Sequence, residues 1–447
     1  MKFNCLKSIF PFLLSALLLS SCTGNDNNGI PEPSSAAHFV SLTFAKNDSI
    51  PNLEKAVFKN VYEGGDSIIV NLDSLPYLTR IDSVLPTFRF ASRSAAYLVY
   101  KNIAGEDSLR LLSSNDTIDF TVPMRVRNIS SDKTTTLEYG IKVNVHQVEP
   151  ELYVWNQVVD RMSGSVGSNQ HSFLFNGTIY YYSGTGVNNY LYTAPIANYT
   201  NWTDNSGSLA GLPATTVEFR HMQIFKNKFY LFSSDNKIYS SSDGRTWSDV
   251  AFPNAGYKTT ELLFVFLDKL WGIVQDVATQ RYYFASTEDA ANWTIGSELD
   301  SEFPIEQYAA ISFKTRLGVP KAIIVGGKQR VSPYYPYVWS TEDGTRWVNF
   351  KRENNTRIEG ASVVSYDGKI LMFQGTDDNH LRESINEGFL WNVPDTAYNN
   401  LPETYARRSF QSAFVNESDK RIFIIGGYDY STLSDVWTGK LNRAYWE

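Results

Sequence analysis

The sequence predicts an all-β protein in two parts, an antiparallel β-sandwich over residues 37–149 followed by a six-bladed β-propeller over residues 150–447. Three observations carry that prediction. A phrase of Ser, two residues, an acid, three residues and Trp recurs four times, beginning at Ser240, Ser286, Ser340 and Ser384, at intervals of 46, 54 and 44 residues. Repetition on that scale marks a supersecondary unit copied in space. All ten Trp lie at or beyond Trp155 and 22 of the 27 Tyr lie after residue 150, a compositional step that places a domain boundary at Val148-Glu149-Pro150-Glu151. Short alternating apolar runs punctuated by turn residues fill the part before that step.

The chain has 447 residues, of which 43% are hydrophobic, enough for more than one core. A net charge of -7 without a basic block excludes nucleic acid as a partner, since phosphates demand clustered Lys and Arg. The N-terminus reads as a processing signal over residues 1–22: Lys2 and Lys7, an apolar run from Ile9 to Leu19, then Leu19-Ser20-Ser21-Cys22. The run is too short for a permanent membrane span. Leu-Ser-Ser-Cys resembles the lipobox of bacterial lipoproteins, which implies lipid attachment at Cys22 and anchoring to the outer membrane or cell envelope. An ordinary secretory signal with an incidental Cys is the alternative. Cys5 and Cys22 are the two cysteines, so the mature chain has no disulfide and no thiol catalyst. Residues 23–36 are polar and Pro/Gly-rich, as a flexible tether would be. Their two acids, Asp26 and Glu32, stand apart and poorly match the acidic surface-export runs of Bacteroidetes lipoproteins, which leaves the membrane face open.

In the sandwich, strands are expected at His38–Phe44, Ser67–Leu72, Tyr97–Tyr100, Thr117–Val122 and Tyr139–Val145, with turns at Gly64-Gly65, Asn115-Asp116 and Ser130-Ser131-Asp132. The segment from Asp119 through Val145 resembles Ig-like modules of Bacteroidetes surface proteins. Beyond residue 150 each unit repeats one grammar. A buried strand such as Ser172–Phe175 or Met222–Phe225 leads through Asn176-Gly177, Lys226-Asn227 or Asp367-Gly368 into a second strand. Asn-Gly and Asp-Gly suit such hairpins because both residues tolerate positive φ. A third strand carries Tyr192, Tyr239, Phe284, Trp339 or Trp437, and four strands per unit are propeller blades. Trp202, Trp247, Trp293, Trp347, Trp391 and Trp446 count six of them. Leu152–Val159 is placed to close the ring as the last outer strand, avoiding an exposed edge. A seven-unit count that gives Trp155 its own blade lacks three strands.

The repeated phrase is similar to the Asp-box hairpin of sialidase-type propellers, which implies a structural role for Asp243, Asp289, Asp343 and Glu387. Gly326-Gly327 and Gly426-Gly427, each followed by a Trp, resemble the Gly-Gly of kelch blades, where the glycines end the second strand. The strand-to-helix context of a phosphate loop is missing. The whole arrangement resembles two-domain Bacteroidetes lipoproteins of the DUF6242 kind, with an Ig-like front and a kelch- and Asp-box-like propeller behind.

Residues just before each innermost strand should converge on one mouth of the central channel. His171 and His221 each lie nine residues before an aligned Tyr (Tyr180, Tyr230), with Gln170 and Arg220 preceding them. Glu306-Gln307, Arg357, Glu359, Arg407 and Arg408 fall at comparable positions. The ligand-binding candidates are therefore His171, Arg220, His221, Arg357, Arg407 and Arg408, a ring suited to a carboxylate or a polyhydroxylated ligand. The alternative is that they plug the channel and satisfy strand-end carbonyls. His171, His221 and His380 show no metal-ligand spacing, and Asp377-Asp378-Asn379 reads as a solvated turn, so no metal or other cofactor is expected. No catalytic residue is assigned. The copper chemistry of galactose oxidase needs a Tyr–Cys crosslink that this part of the chain cannot form. A sialidase-like hydrolase or polysaccharide lyase at the channel mouth would use Arg220, Arg357 and Arg408 as an Arg triad with Tyr405 or Tyr308 as nucleophile, but the Arg-Ile-Pro of sialidases is absent. The expected function is binding: a monomeric, lipid-anchored propeller or scaffold that meets a glycan or an envelope protein.

Overall fold

The computed structural model describes residues 32–50, 53–186, 188–252, 254–328, 338–350, 358–373, 381–394 and 401–443. The lipidation candidate Cys22 lies outside them, as do Arg357, His380, the Asp377-Asp378-Asn379 turn and Trp446. The chain forms two compact units, residues 1–147 and 148–447. Among the described residues both are built from strands with three short 3-10 turns, and no helix is long and apolar enough to cross a membrane.

The N-terminal unit pairs a six-stranded sheet with a two-stranded one. The large sheet runs in the order Phe58–Glu63, Asp66–Asn71, Thr136–Lys142, Met124–Ile129, Ala95–Lys101 and Asp107–Leu111; the small one joins Phe39–Phe44 to Pro86–Phe90. Alternation turns Leu42, Phe44 and Phe88 of the small sheet toward Ile69, Leu98, Val126 and Tyr139 of the large one, and together they form the core. Two expectations need correction. Asp66–Asn71 and Thr136–Lys142 pair in parallel, because the strands between them supply the long crossover that parallel neighbours require. Thr117–Val122 is not a strand: Ile118 makes a single bridge to Val84, Phe120 buries its ring in the core, and the Asp119 carboxylate accepts the Thr121 amide. Ser34, read from composition as tether, is held to this unit through Ser131 and Ser92.

Among the described residues of the C-terminal unit six antiparallel sheets follow one another along the chain. Their innermost strands are Asn169–Phe175, Val217–Phe225, Tyr257–Phe266, Ala309–Lys314, Ser362–Tyr366 and Ser412–Asn416. Each inner strand packs against the next, and the sixth packs against the first. Tyr153–Val159 pairs antiparallel with Ser431–Leu441 as the outer strand of the sixth sheet, so the ring is closed by its own first strand. Six apolar cores lie between consecutive sheets. Tyr182 and Leu191 of the first sheet, for example, meet Phe219, Phe229 and Trp247 of the second.

Neighbouring inner strands share no backbone ladder, and short polar side chains bridge them instead. The Gln223 amide donates to the Leu263 carbonyl, Ser312 to Val265 and Ser362 to Gln411, while Ser172 joins Ser412 at 2.8 Å. Ser172, Ser362 and Ser412 are buried, so for them each pairing removes a desolvation cost of about 1–3 kcal/mol.

The repeated phrase folds as a tight turn at the end of the third strand. In three copies one carboxylate oxygen accepts two consecutive amides: Asp243 from Arg245 and Thr246 at 2.8 Å, Asp289 from Ala291 and Asn292, Asp343 from Thr345 and Arg346. The hydroxyl of Ser241, Thr287 or Thr341, one residue later than the Ser of the phrase, accepts the amide of the residue directly after the acid: Gly244, Ala290 or Gly344. Burial alone would raise the Asp243 pKa, yet the amides of Thr246 and Arg245 bring it down to about 2. Gly244, at φ +73°, turns against Tyr182 of the preceding sheet, where an added Cβ would strike the phenol oxygen. The fourth copy departs from the pattern: Asn386 accepts the Leu390 amide, whereas Glu387 reaches away to Lys321 at 2.6 Å. One extra residue in that turn makes Asn386, not Glu387, the counterpart of the three Asp.

Candidate functional site

The starts of the inner strands meet at one end of the ring, as the parallel course of those strands dictates. A cavity of about 470 Å³ runs inward from that end along all six inner strands, from Gln307, Gly360 and Phe410 before their starts to Ser365 and Glu417 at their far ends. His171, Arg220 and His221 line it, with Gln307, Tyr308, Phe410 and Gln411. The loops entering the fourth, fifth and sixth sheets are shaped alike. Gln307, Gly360 and Phe410 take φ of 59°, 67° and 60°. Gly360 donates its amide to the Gln307 carbonyl, and Phe410 donates to that of Gly360. Positive φ is costly for Gln and Phe, so these inter-sheet bonds and the surrounding packing hold the conformation.

Each predicted residue has a distinct fate. Gln170 is buried and fully engaged: its amide nitrogen donates to the Gly167 and Leu433 carbonyls, and its oxygen accepts the Gly427 amide at 2.7 Å. His171 packs edge-on against Phe173 at 4.3 Å, and burial, with a smaller push from His221, lowers its pKa to about 3. Arg220 lays its guanidinium over the Phe410 ring at 4.0 Å and donates Nη2 to the Ser168 carbonyl at 3.0 Å. Burial pulls its pKa below the usual Arg value against the opposing pull of Glu218 and Glu261. His221 stacks face to face on Tyr308 at 4.7 Å, and its Nδ1 lies directly against Glu261 Oε2. Glu218, two residues before Arg220, is pushed up by burial and by the nearby Glu261, although His221 opposes this.

Arg407 and Arg408 do not join them. Arg408 is 2% exposed and its guanidinium forms a two-pronged pair with Asp435 at 2.5 and 2.9 Å, with a further bond to the Gly426 carbonyl. Trp437 Nε1 donates to the same Asp435, and the Tyr405 ring lies 4.2 Å beneath the guanidinium. Its predicted role as a ligand contact gives way to a structural one, because the buried acid 27 residues on takes its donors. Arg407 is exposed, Glu306 pairs with Lys328, and Glu359 is buried. With Arg408 committed in this way, the Arg triad of a sialidase-like reading loses a member.

Glu218, Glu261 and Phe410 escaped the sequence reading, though both acids carried a signal. Each is the one carboxylate of its inner strand, Val217–Phe225 and Tyr257–Phe266. Among the described residues no group of three or more His, Cys, Asp or Glu is disposed to hold a metal ion.

The Gly-Gly pairs are structural. Gly326 and Gly327 follow the second strand of the fourth sheet directly, while Gly426 and Gly427 stay within theirs at a bulge against Gln170.

An all-β ring of sheets around a central cavity defines the C-terminal unit as a β-propeller. The family comparison agrees: residues 149–447 match the DUF6242 beta propeller domain, and residues 46–143 match the domain described as "Domain of unknown function (DUF6242) N-terminal domain". The chain belongs to the DUF6242 family. No curated protein matches it. Among solved structures it is similar to Trypanosoma rangeli sialidase, at 11% identity and a TM-score of 0.41 over 64% of this chain and 59% of that one. A mutant of that sialidase displaying trans-sialidase activity matches at 10% identity and 0.41 over 65% of this chain and 59% of that one. The chain thus spans about three fifths of the length of either.

Proposed function

We propose that this chain is a lipid-anchored cell-envelope protein of the Bacteroidetes kind, joined to the membrane through Cys22, that binds a glycan or an envelope protein. In this reading the six sheets are six blades with kelch- and Asp-box-like turns, and the N-terminal unit is an Ig-like spacer. The observation that carries the binding role is the mouth. Arg220, His221, Glu218 and Glu261, charged or chargeable and largely withdrawn from water, gather beside a cavity of small-ligand size. Withdrawing such groups from solvent is costly, and a purely structural plug would be cheaper to build from apolar side chains. A hydrolase or lyase reading has less support, because Arg408, one of the arginines it requires, is already paired with Asp435.

The test is a glycan array and an envelope pull-down with the mature chain. A retained partner should be lost in the double variant Arg220→Ala, His221→Ala while the chain stays folded at the assay temperature and unfolds in one cooperative transition, at a lowered midpoint. Retention undiminished by the double variant would move the binding surface away from the mouth. Labelling with an alkyne fatty acid, abolished by Cys22→Ser, checks the anchor.

A further inference from the structure

We infer that the mouth cavity takes a neutral polyhydroxylated unit, a hexose or N-acetylhexosamine residue, in preference to an acidic sugar. This rests on the binding reading above and narrows its ligand. The charges at the mouth do not favour a carboxylate. Arg220 brings a positive charge, but its fork is partly engaged by the Ser168 carbonyl and its face by Phe410. Glu218 and Glu261 flank it, and Glu261 also occupies His221. His171 is uncharged at neutral pH. An incoming carboxylate therefore meets two acids beside one arginine that is already partly engaged.

The polar atoms point the same way. Tyr308 is 6% exposed and Gln411 5%, both line the cavity, and the Tyr308 hydroxyl and Gln411 Oε1 have no hydrogen-bond partner among the described residues. A buried acceptor such as Gln411 Oε1 needs a donor, which a carboxylate cannot provide and a sugar hydroxyl can. The phenol can donate to or accept from such a hydroxyl. Phe173 and Leu263, also in the lining, offer apolar surface for the C–H face of a ring. The site thus combines neutral hydrogen-bonding capacity, apolar walls and a volume of about 470 Å³, within the usual range of small-ligand pockets.

The experiment titrates the mature chain, by ligand-observed NMR and calorimetry, with methyl glycosides of glucose, galactose, N-acetylglucosamine and glucuronic acid, and with N-acetylneuraminic acid. At least one neutral glycoside should bind about tenfold or more tighter than either acid. Tyr308→Phe, which deletes one hydroxyl and keeps the stack on His221, should weaken that binding about tenfold with an unchanged melting temperature. Glu218→Gln should narrow the gap between the neutral and acidic probes. An acidic probe that binds as tightly as the neutral ones, or a Tyr308→Phe chain that binds like the parent, overturns the inference. Silence from all five probes overturns it too. The binding reading stands apart from that result: it survives if the array or pull-down still yields a partner that depends on Arg220 and His221.

Discussion

Arg220 and Arg408 look interchangeable in the sequence, each just ahead of or within the start of an inner strand, and the fold treats them in opposite ways. Arg220 lies at the cavity with one bond to a backbone carbonyl and a ring beneath it. Arg408 is sealed behind the sixth sheet with Asp435, Gly426 and Tyr405. The difference comes from the acids: Asp435 stands on the neighbouring strand and matches the guanidinium fork, whereas Glu218 and Glu261 flank Arg220 without a two-pronged pairing. An arginine near a propeller mouth is available to a ligand only when no buried carboxylate already meets its fork.

The sharpest way to break that comparison is to remove each arginine in turn. Arg408→Ala leaves a buried carboxylate unpaired and should cost about 3–5 kcal/mol, seen as a large fall in the urea midpoint of the C-terminal unit. Arg220→Ala loses one neutral-acceptor bond and one ring contact, for which about 1 kcal/mol is expected. Equal losses from the two would refute the distinction.

Next in size are the turns between sheets. Asp243→Ala removes the acceptor of two amides and should cost about 1 kcal/mol, as loss of a cap does. The same carboxylate sets a pH dependence. Its folded pKa of about 2 lies below the ordinary value, so its contribution is complete above about pH 4. That contribution fades as the pH falls from there through 2. Asp243→Asn keeps an acceptor but cannot titrate, so the difference in stability between it and the parent should shrink from pH 5 to pH 2. A constant difference would show that the charge plays no part.

Much of this was legible in the sequence, because repetition reports on packing. The Ser–acid–Trp phrase marked four of the sheets, the Asn176-Gly177 and Asp367-Gly368 hairpins lie where positive φ was required, and Leu152–Val159 was placed by the need to close an edge. The N-terminal unit was harder. Its strands Met124–Ile129 and Asp107–Leu111 alternate polar and apolar residues on a half-exposed sheet, which gives little contrast, and a parallel pair leaves no local mark. At the mouth, His171, Arg220 and His221 were legible from register along repeated strands. Their partners were not, because Glu261 reaches His221 from the next inner strand, 40 residues away, and Phe410 reaches Arg220 from the loop entering the sixth sheet, 190 residues away.

The smallest expected effect tests the reading of the fourth turn. If Glu387 were the counterpart of Asp243, Glu387→Ala would cost as much as Asp243→Ala. The structure gives Glu387 a different task, a pair with Lys321 at its half-exposed end, and Lys321 has a second acid, Glu342, 3.9 Å away. Removing one of two partners at the surface should cost about 0–1 kcal/mol, and less in high salt. Asn386→Ala, which takes away the acceptor for the Leu390 amide, should be the costlier of the two. Thermal unfolding of the two variants at low and high salt separates the cases: a salt-independent loss at Glu387 exceeding that at Asn386 would return the capping role to the acid.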